Sequence, residues 1–293
     1  MKKTFAEKSN LLVFLGTAAL ITTAVFFLKS CNKKSETEQA QHLGDNNSEN
    51  IFPNSAKVMS AKPDIPDDPN KRYIYLTFDD GPNRGTKNLL KITNKYQIPI
   101  TAFVVGKHAY DSKTQSKELE ELENDQLVEI ANHSYSHAAN RYSDFYKNPE
   151  NVIPDFDRAR DSLKFKNKYA RTPGRNIWRT AHINNTDIKT SKIGADELQK
   201  AGYVLVGWDL EWKPDHSMKL KGSHKEMAKR VDSIFFNDLE KTSRHLVFLT
   251  HDQYLQDDES VKELDLFISG LQNSNRFEFR KISDYPNIND ILK

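Results

Sequence analysis

The chain has 293 residues, of which 37% are hydrophobic and 29% are charged, a balance typical of a globular protein with a sizeable core. The formal net charge is +2, and lysines and acidic residues are spread along the chain rather than concentrated in a basic stripe. This distribution argues against nucleic acid as a partner. Cys31 is the one cysteine, which excludes a disulfide within the chain. We expect a monomer with one large domain and an N-terminal appendage.

The N-terminal segment predicts export from the cytoplasm. Lys2 and Lys3 precede an uncharged, mostly apolar run at residues 11–28, and Lys29-Ser30-Cys31 closes that run. A basic head, an apolar run and a small residue at a boundary form the pattern of an export signal. The last residues of the run, with Cys31, also resemble a bacterial lipobox, in which the cysteine becomes lipidated, although the lysine before Ser30 departs from the usual pattern.

The apolar run allows more than one kind of attachment. At about 18 residues it is long enough to span a bilayer as an uncleaved anchor. We therefore expect a lipoprotein attached through Cys31, with a membrane anchor or a plain cleaved signal as the alternatives. Each of these places the rest of the chain in the cell envelope, outside the cytoplasm.

The segment after the signal has a different composition. From residue 32 to about residue 70 it is dominated by Asn, Ser, Glu, Gln, Lys, Asp and Pro. Such a segment buries too little apolar surface to offset its chain entropy, which predicts a disordered, flexible tether. The predicted organisation is therefore a signal or anchor at residues 1–31, a linker at 32–70 and a folded domain at 71–293.

Within this domain, short β-rich runs alternate with longer helical ones. Residues 72–78, for example, are rich in Tyr, Ile and Thr. In chain order, the predicted strands are 72–78, 99–105, 127–131, 169–171, 203–208, 246–250 and 277–282, and the predicted helices are 87–96, 152–168, 195–201, 223–239 and 261–271. About seven strand–helix repeats predict an α/β fold with a largely parallel sheet, closed into a barrel.

Polar residues recur where the predicted strands end. The side chains that follow or end a predicted strand are Asp79, Asp80, His133, Arg171, Asp209 and His251. The carboxyl ends of parallel strands carry the active sites of barrel enzymes. This ordering favours a functional site at that face over a chance scatter of polar residues.

The first of these groups is the adjacent pair Asp79 and Asp80. Asp-Gly-Pro is common turn chemistry, so the segment 79–82 on its own fits an ordinary strand-to-loop turn. Two neighbouring carboxylates nevertheless repel each other unless a cation or an arginine offsets their charge.

The second group is His133 and His137, four residues apart. On a helical turn both side chains would point the same way, so that their nitrogens could converge on one ion. An isolated pair is also compatible with two solvated histidines. With one aspartate, the two histidines would form a facial ligand set that leaves coordination positions open. Zinc is the favoured divalent ion, and iron, cobalt and manganese remain open by ligand type.

Five segments in this order resemble the polysaccharide deacetylases of the NodB homology family, the family four carbohydrate esterases. That family carries a Thr-Phe-Asp-Asp-Gly-Pro motif, present here at residues 77–82, and a motif with two histidines, matched at 132–137. Its three later motifs are similar to Arg171-Thr-Pro, Glu211-Trp212 and Leu249-Thr-His251. The resemblance extends from about residue 72 to residue 252 and implies a distorted (β/α)7 barrel of the NodB type.

The resemblance also implies roles for single residues. Asp80, His133 and His137 would hold one divalent metal ion, most simply Zn²⁺, and Asp79 would act as general base, kept ionised by Arg171. His251 would be the general acid, oriented by a carboxylate. The residues implied for substrate binding are Trp212 and Leu249, which would line a pocket for the acetyl methyl group, and Pro173.

Two departures from the family pattern affect these roles. Gly174 stands where an aromatic residue usually follows the proline, so the groove would differ or Trp178 would substitute. The fourth motif has Glu211 before its tryptophan, with Asp209 two places earlier, where the family has aspartate. We favour Glu211 as the residue that orients His251, with Asp209 as the alternative.

The predicted function is hydrolysis of N-acetyl groups from an N-acetylglucosamine-containing polysaccharide, with an acetylated glycan as partner and acetate as product. One alternative keeps the same site but acts as an O-acetyl esterase on a decorated glycan. Another is a non-catalytic surface lipoprotein that binds glycans.

Overall fold

The computed structural model describes residues 66–290. The predicted signal or anchor with Cys31, and the linker up to residue 65, lie outside this range. Within the described range, no helix combines the length and the apolar character needed to cross a membrane.

The described part of the chain alternates strands and helices. The strands are β1 (Arg72–Asp79), β2 (Ile100–Val104), β3 (Val128–Asn132), β4 (Tyr169–Ala170), β5 (Ile177–Arg179), β6 (Asn184–Thr186), β7 (Val204–Leu205), β8 (Leu210–Glu211), β9 (His245–His251) and β10 (Phe277–Phe279). The helices are α1 (Thr86–Tyr96), α2 (Lys113–Asn124), α3 (Tyr142–Lys147), α4 (Pro149–Leu163), α5 (Lys192–Lys200), α6 (His224–Phe236) and α7 (Asp258–Asn273).

The strands form one sheet in the order β6-β5-β7-β4-β3-β2-β1-β9-β8, with β10 paired to β1. All pairings from β4 through β3, β2, β1 and β9 to β8 are parallel, whereas β5 is antiparallel to β6 and β7. The parallel α/β arrangement is therefore confirmed. The path of hydrogen-bonded strands ends at β6 and β8, so the sheet is a half-barrel with helices rather than a fully closed ring.

The two faces of the central strands pack into different cores. In β1, Ile74, Leu76 and Phe78 belong to a core that also contains buried residues of α1, α6 and α7. Tyr73 and Tyr75 alternate with them and belong to an inner core together with residues such as Trp178. Strand alternation therefore puts Asp79 on the same face as the two tyrosines. Burial of each large side chain contributes roughly 1.5–3 kcal/mol, which firmly specifies the register of β1.

Each predicted strand corresponds to a strand of the sheet, with differences of a few residues at the ends. Three short strands, β5, β6 and β8, and two helices, α2 and α3, were not predicted. Helix α2 is mostly polar, and its start is set by Ser112, whose hydroxyl accepts a hydrogen bond from the backbone N–H of Gln115. Helix α4 ends before the predicted residue 168 because Lys164 has a left-handed φ of 52°.

Candidate active site

The register of β1 against β9 places Asp79 directly beside His251. On the other side of β1, Asp79 is in register with Phe103 of β2. His133 follows β3 and Arg171 follows β4, and these strands are parallel to β1. Because the carboxyl ends of parallel strands meet at one edge, the four polar side chains gather at the same end of the sheet.

Arg171 and Asp79 form a buried ion pair at this edge. Arg171 is 0% exposed, and its Nη1 donates to Asp79 Oδ1 at 2.9 Å and to Thr77 Oγ1 at 2.7 Å. The remaining guanidinium donors reach the backbone oxygens of Val206 and Gly207. With all of these donors engaged, the arginine holds the Asp79 carboxylate in one orientation and offsets its charge.

Asp80 lies next to this pair and meets both histidines. Its Oδ1 is 3.0 Å from His137 Nε2 and 3.3 Å from His133 Nε2, and the three ligand atoms lie within 4.8 Å of one another. Burial opposes ionisation of this carboxyl group, but the adjacent histidines bring its pKa well below the usual value. Asp80 adopts a left-handed backbone with φ of 72°, which Asp tolerates better than most residues.

The two histidines converge by a different route from the predicted helical turn. His137 has φ of 52°, and the residues after it, Ala138 and Ala139, are also left-handed rather than helical. The reason is local, because Asn132 Oδ1 accepts from Ser134 N and Ser134 Oγ accepts from His137 N. These side-chain acceptors compete with helical hydrogen bonds and produce a compact turn.

The donor set fits a divalent metal ion. His133 Nδ1 donates to the backbone oxygen of Arg171 at 2.9 Å, which leaves Nε2 with a free lone pair facing Asp80. Asp80 Oδ1 is buried without a hydrogen bond of acceptable geometry among the described residues. An acceptor oxygen and two imidazole nitrogens that converge without such a bond are suited to a cation between them.

The predicted acid, His251, lies across the site from the other two histidines. Its Nε2 is 3.7 Å from Asp80 Oδ2, and its Nδ1 is buried without a hydrogen-bond partner among the described residues. Neither Asp209 nor Glu211 therefore hydrogen-bonds to His251. The predicted orientation of His251 by one of these carboxylates is not found in this conformation.

Asp209 has a different task in the fold. Its two carboxylate oxygens accept hydrogen bonds from Lys241 N at 3.0 Å and Val247 N at 2.8 Å. Burial raises its pKa to about 6. Asp209 is therefore engaged in holding the segment before β8 against β9, and its alternative role in orienting His251 stays a prediction. Glu211 is half-buried, with its Oε2 3.6 Å from Lys213 Nζ.

Comparison with known proteins agrees with this arrangement. Residues 67–194 match the family model of polysaccharide deacetylases. The chain is 24% identical over 249 residues to the putative polysaccharide deacetylase YheN of Bacillus subtilis, covering 82% of this chain and 81% of that protein. Over 83 residues it is 40% identical to the peptidoglycan-N-acetylmuramic acid deacetylase PdaC of Bacillus subtilis, covering 28% of this chain and 17% of that protein. The chain is therefore similar to polysaccharide deacetylases, and the match to the family model covers residues 67–194.

Solved structures agree on the fold. The catalytic domain of a peptidoglycan N-acetylglucosamine deacetylase from Eubacterium rectale superposes with a TM-score of 0.52 at 23% identity, covering 75% of this chain and 93% of that one. A family four carbohydrate esterase from Streptococcus mutans also gives a TM-score of 0.52, at 19% identity, covering 72% of this chain and 86% of that one. The predicted deacetylase fold is thus confirmed.

The three residues predicted to contact substrate differ in their positions relative to the site. Leu249 shares a face of β9 with His251, consistent with a position beside the site. Trp212, in contrast, is 0% exposed and packs against Phe267 of α7 with ring centroids 5.3 Å apart. It belongs to the core beneath the helices, and its role as a pocket wall stays a prediction. Pro173 is likewise buried, and its backbone oxygen accepts from Tyr146.

Trp178 does not replace the aromatic residue that is missing at Gly174. It is 0% exposed in the inner core, and its Nε1 donates to Asn176 Oδ1. The ring of Tyr142 occupies the space beside Gly174 instead, because a Cβ added to this glycine would meet three ring carbons at 3.0 Å. Tyr142 also contacts His137 edge-on, with ring centroids 5.7 Å apart. An aromatic side chain from a different segment therefore fills this place.

Two further residues support the site and were not recognised in the sequence. Asp252 is buried and accepts hydrogen bonds from the side chains of Asn83 and Thr86, which ties the loop after β1 to the end of β9. His108 Nδ1 donates to the backbone oxygen of Asp80 at 2.8 Å. The position of Asp252 next to His251 was the one feature of the sequence that indicated a role for Asp252. Nothing in the sequence around His108 indicated its hydrogen bond to the backbone of Asp80.

Proposed function

We propose that this chain is a metal-dependent hydrolase that removes N-acetyl groups from an N-acetylglucosamine-containing glycan and releases acetate. One observation carries the proposal: Asp80, His133 and His137 converge beside a carboxylate, Asp79, that Arg171 holds in place. Two relatives support an N-acetylated glycan as the substrate: a chitooligosaccharide deacetylase of Rhizobium leguminosarum bv. phaseoli, 38% identical over 65 residues, and the peptidoglycan-N-acetylmuramic acid deacetylase PdaC.

Asp80, His133 and His137 would hold the metal ion, and one oxygen and two nitrogen ligands make zinc our choice. When bound, such an ion supplies Lewis acidity toward the acetyl carbonyl and toward water. The half-buried positions of Asp80 and His137 leave this group accessible from one side. The ligand set also leaves coordination positions for water and substrate.

Asp79 would accept a proton from the attacking water at Oδ2, because its Oδ1 is engaged by Arg171. The water oxygen then forms a bond to the acetyl carbon. His251 would donate a proton from Nε2 to the amide nitrogen as the carbon–nitrogen bond breaks, because an unprotonated amine is a poor leaving group. The products are acetate and a free amino sugar. The starting protonation state is restored when Asp79 gives its proton to solvent and His251 takes one up from solvent.

The experiment is an acetate-release assay of the zinc-loaded chain with N-acetylglucosamine oligomers, peptidoglycan and an O-acetylated xylan. We expect release from the N-acetylated substrates, with a large loss in His251→Ala. Release from the O-acetylated substrate alone, with little dependence on His251, would identify an esterase. Absence of both activities in metal-replete protein would contradict the proposed function.

We also propose that the chain works outside the cytoplasm, attached to the membrane through its N-terminal segment. Basic residues followed by an apolar run within residues 1–31 support this proposal. Labelling cells with a fatty-acid analogue should mark the wild-type chain and not Cys31→Ala. If the wild type and Cys31→Ala both stay in the membrane fraction without label, the chain is attached through an uncleaved anchor and not through a lipid.

A further inference from the structure

A cavity of about 530 Å³ adjoins the two segments that follow the proposed base and acid at the ends of β1 and β9. Its walls include Asn83 and Arg84, which follow Asp80-Gly81-Pro82, and Gln253, which lies two residues after His251. Helix α2 closes the far side, and Gln115 Nε2 donates to the backbone oxygen of Pro82 at 3.1 Å. Since consecutive Cα atoms are about 3.8 Å apart, the cavity begins within roughly 15 Å of the catalytic groups.

Glu118 is the buried residue in this cavity that lacks a hydrogen-bond donor. Its side chain lines the cavity from α2 although the residue is only 8% exposed, and its Oε2 has no hydrogen-bond partner among residues 66–290. Burial raises the pKa of this carboxyl group. A buried acceptor without a donor is costly, and a ligand that donates a hydrogen bond to it would recover that cost.

The other lining residues define the chemistry that fits. Arg84 is exposed and makes no hydrogen bond or ion pair with the described residues, so its guanidinium is available to an acceptor. All lining residues are polar or charged: Asn83, Arg84, Ser112, Thr114, Gln115, Glu118, Gln253 and Gln256. The lining carries one cation and one carboxyl group, and its amides and hydroxyls both donate and accept. These groups match a neutral ligand with many hydroxyl groups and do not suit a polyanion.

We propose that this cavity binds the sugar unit of the glycan next to the unit being deacetylated. Glu118 accepts from a sugar hydroxyl or amine, and Arg84 donates to a sugar oxygen. The inference rests on the proposed function, because it takes the ligand to be the same glycan. It assigns Arg84 and Glu118 to substrate recognition rather than to the chemical step.

The test compares N-acetylglucosamine oligomers of increasing length with the full-length, zinc-loaded chain. Three variants are compared: Arg84→Ala, Glu118→Gln and, as a matched control, Glu120→Gln, which makes the same change at an exposed position on α2. We expect kcat/KM of the wild type to rise with oligomer length. Arg84→Ala and Glu118→Gln should lose roughly tenfold of that gain, mainly through KM. The first change removes a charged donor, and the second replaces a carboxylate acceptor with a weaker, neutral amide oxygen. Glu120→Gln should match the wild type.

A second measurement separates this proposal from the proposed function. Calorimetric titration with a long oligomer reports binding in Asp79→Asn protein, whose chemical step is disabled. Weaker binding in Asp79→Asn combined with Glu118→Gln or Arg84→Ala than in Asp79→Asn alone supports the subsite, even if no acetate is released by any form. The inference fails if Arg84→Ala and Glu118→Gln match Glu120→Gln in the kinetic comparison and their combinations with Asp79→Asn bind like Asp79→Asn alone. Acetate release by the wild type would then leave the proposed function standing.

Discussion

Arg171 lies 2.9 Å from Asp79, and the two side chains form an ion pair that is almost completely shielded from solvent. The arginine also contacts the ring of Phe103, with its guanidinium carbon 4.1 Å from the ring centroid. A carboxylate held so tightly by one oxygen has only its Oδ2 available for chemistry. That oxygen lies 3.7 Å from His133 Nε2, beside the three converging ligands.

Asp79→Asn should therefore retain metal and lose turnover. The amide cannot accept a proton, although it keeps the size of the carboxylate, so we expect kcat to fall by roughly 100-fold or more. Acetate release and metal content are measured on the same preparation. Asp111→Asn, an exposed change of the same type, serves as control. Near-normal turnover in Asp79→Asn would remove Asp79 as the base.

His133→Ala should lose both bound zinc and activity, because it removes one of the three proposed protein ligands together with the hydrogen bond to the Arg171 backbone. Metal content after dialysis is measured by plasma mass spectrometry. His216→Ala, at an exposed histidine, should keep its zinc. A chelator should likewise abolish acetate release by the wild type, and added zinc should restore it. Full zinc content in His133→Ala would exclude this residue from the ligand set.

Asp252 should make the stability of the chain depend on pH. Burial raises its pKa to about 7, with a smaller contribution from the negative charge of Asp80, while the hydrogen bonds from Thr86 and Asn83 oppose the shift. Because this folded value lies above the unfolded value of about 4, the folded chain binds more protons between these limits. The contribution of Asp252 to stability is therefore fully present below about pH 4 and lost as the pH rises through about 7.

Asp252→Asn removes this titration, so its free energy of unfolding relative to wild type should increase between pH 5 and pH 8 by on the order of 2 kcal/mol. Urea unfolding of the metal-free proteins measures the difference, and titration of the neighbouring histidines cancels because both proteins share it. Asp111→Asn again provides the control. A difference between Asp252→Asn and wild type that stays constant with pH would contradict the assignment.

Tyr142 should shape the glycan-binding groove in the place where Gly174 provides no side chain. Tyr142→Ala removes the ring that lies against Gly174 and contacts His137, so we expect KM for an oligomer to rise roughly tenfold, as for loss of a stacking aromatic side chain. Tyr142→Phe keeps the ring and should change KM little. Tyr110→Ala, at an exposed tyrosine elsewhere, is the control. Equal KM values for Tyr142→Ala and wild type would show that the ring does not contact the glycan.

The parallel sheet and the location of the site could be predicted because they depend on local patterns. Runs such as residues 72–78 are buried on both faces, and their composition identifies them as strands. Parallel strands present their carboxyl ends at one edge, so the order of Asp79, His133, Arg171 and His251 was enough to place them together. The short strands β5, β6 and β8 escaped prediction because two or three residues carry too little periodicity.

The partners of individual side chains were decided only by the tertiary structure. Asp209 and Trp212 stand in the order of the family motifs, yet long-range packing directs the first to the backbone of β9 and the second into the core beneath α7. Tyr142 reaches Gly174 from a segment 32 positions earlier in the chain. Residue types and their order determined which chemistry this chain can carry. Which side chains contact each other depended on packing between distant segments, for which a single sequence contains no local signal.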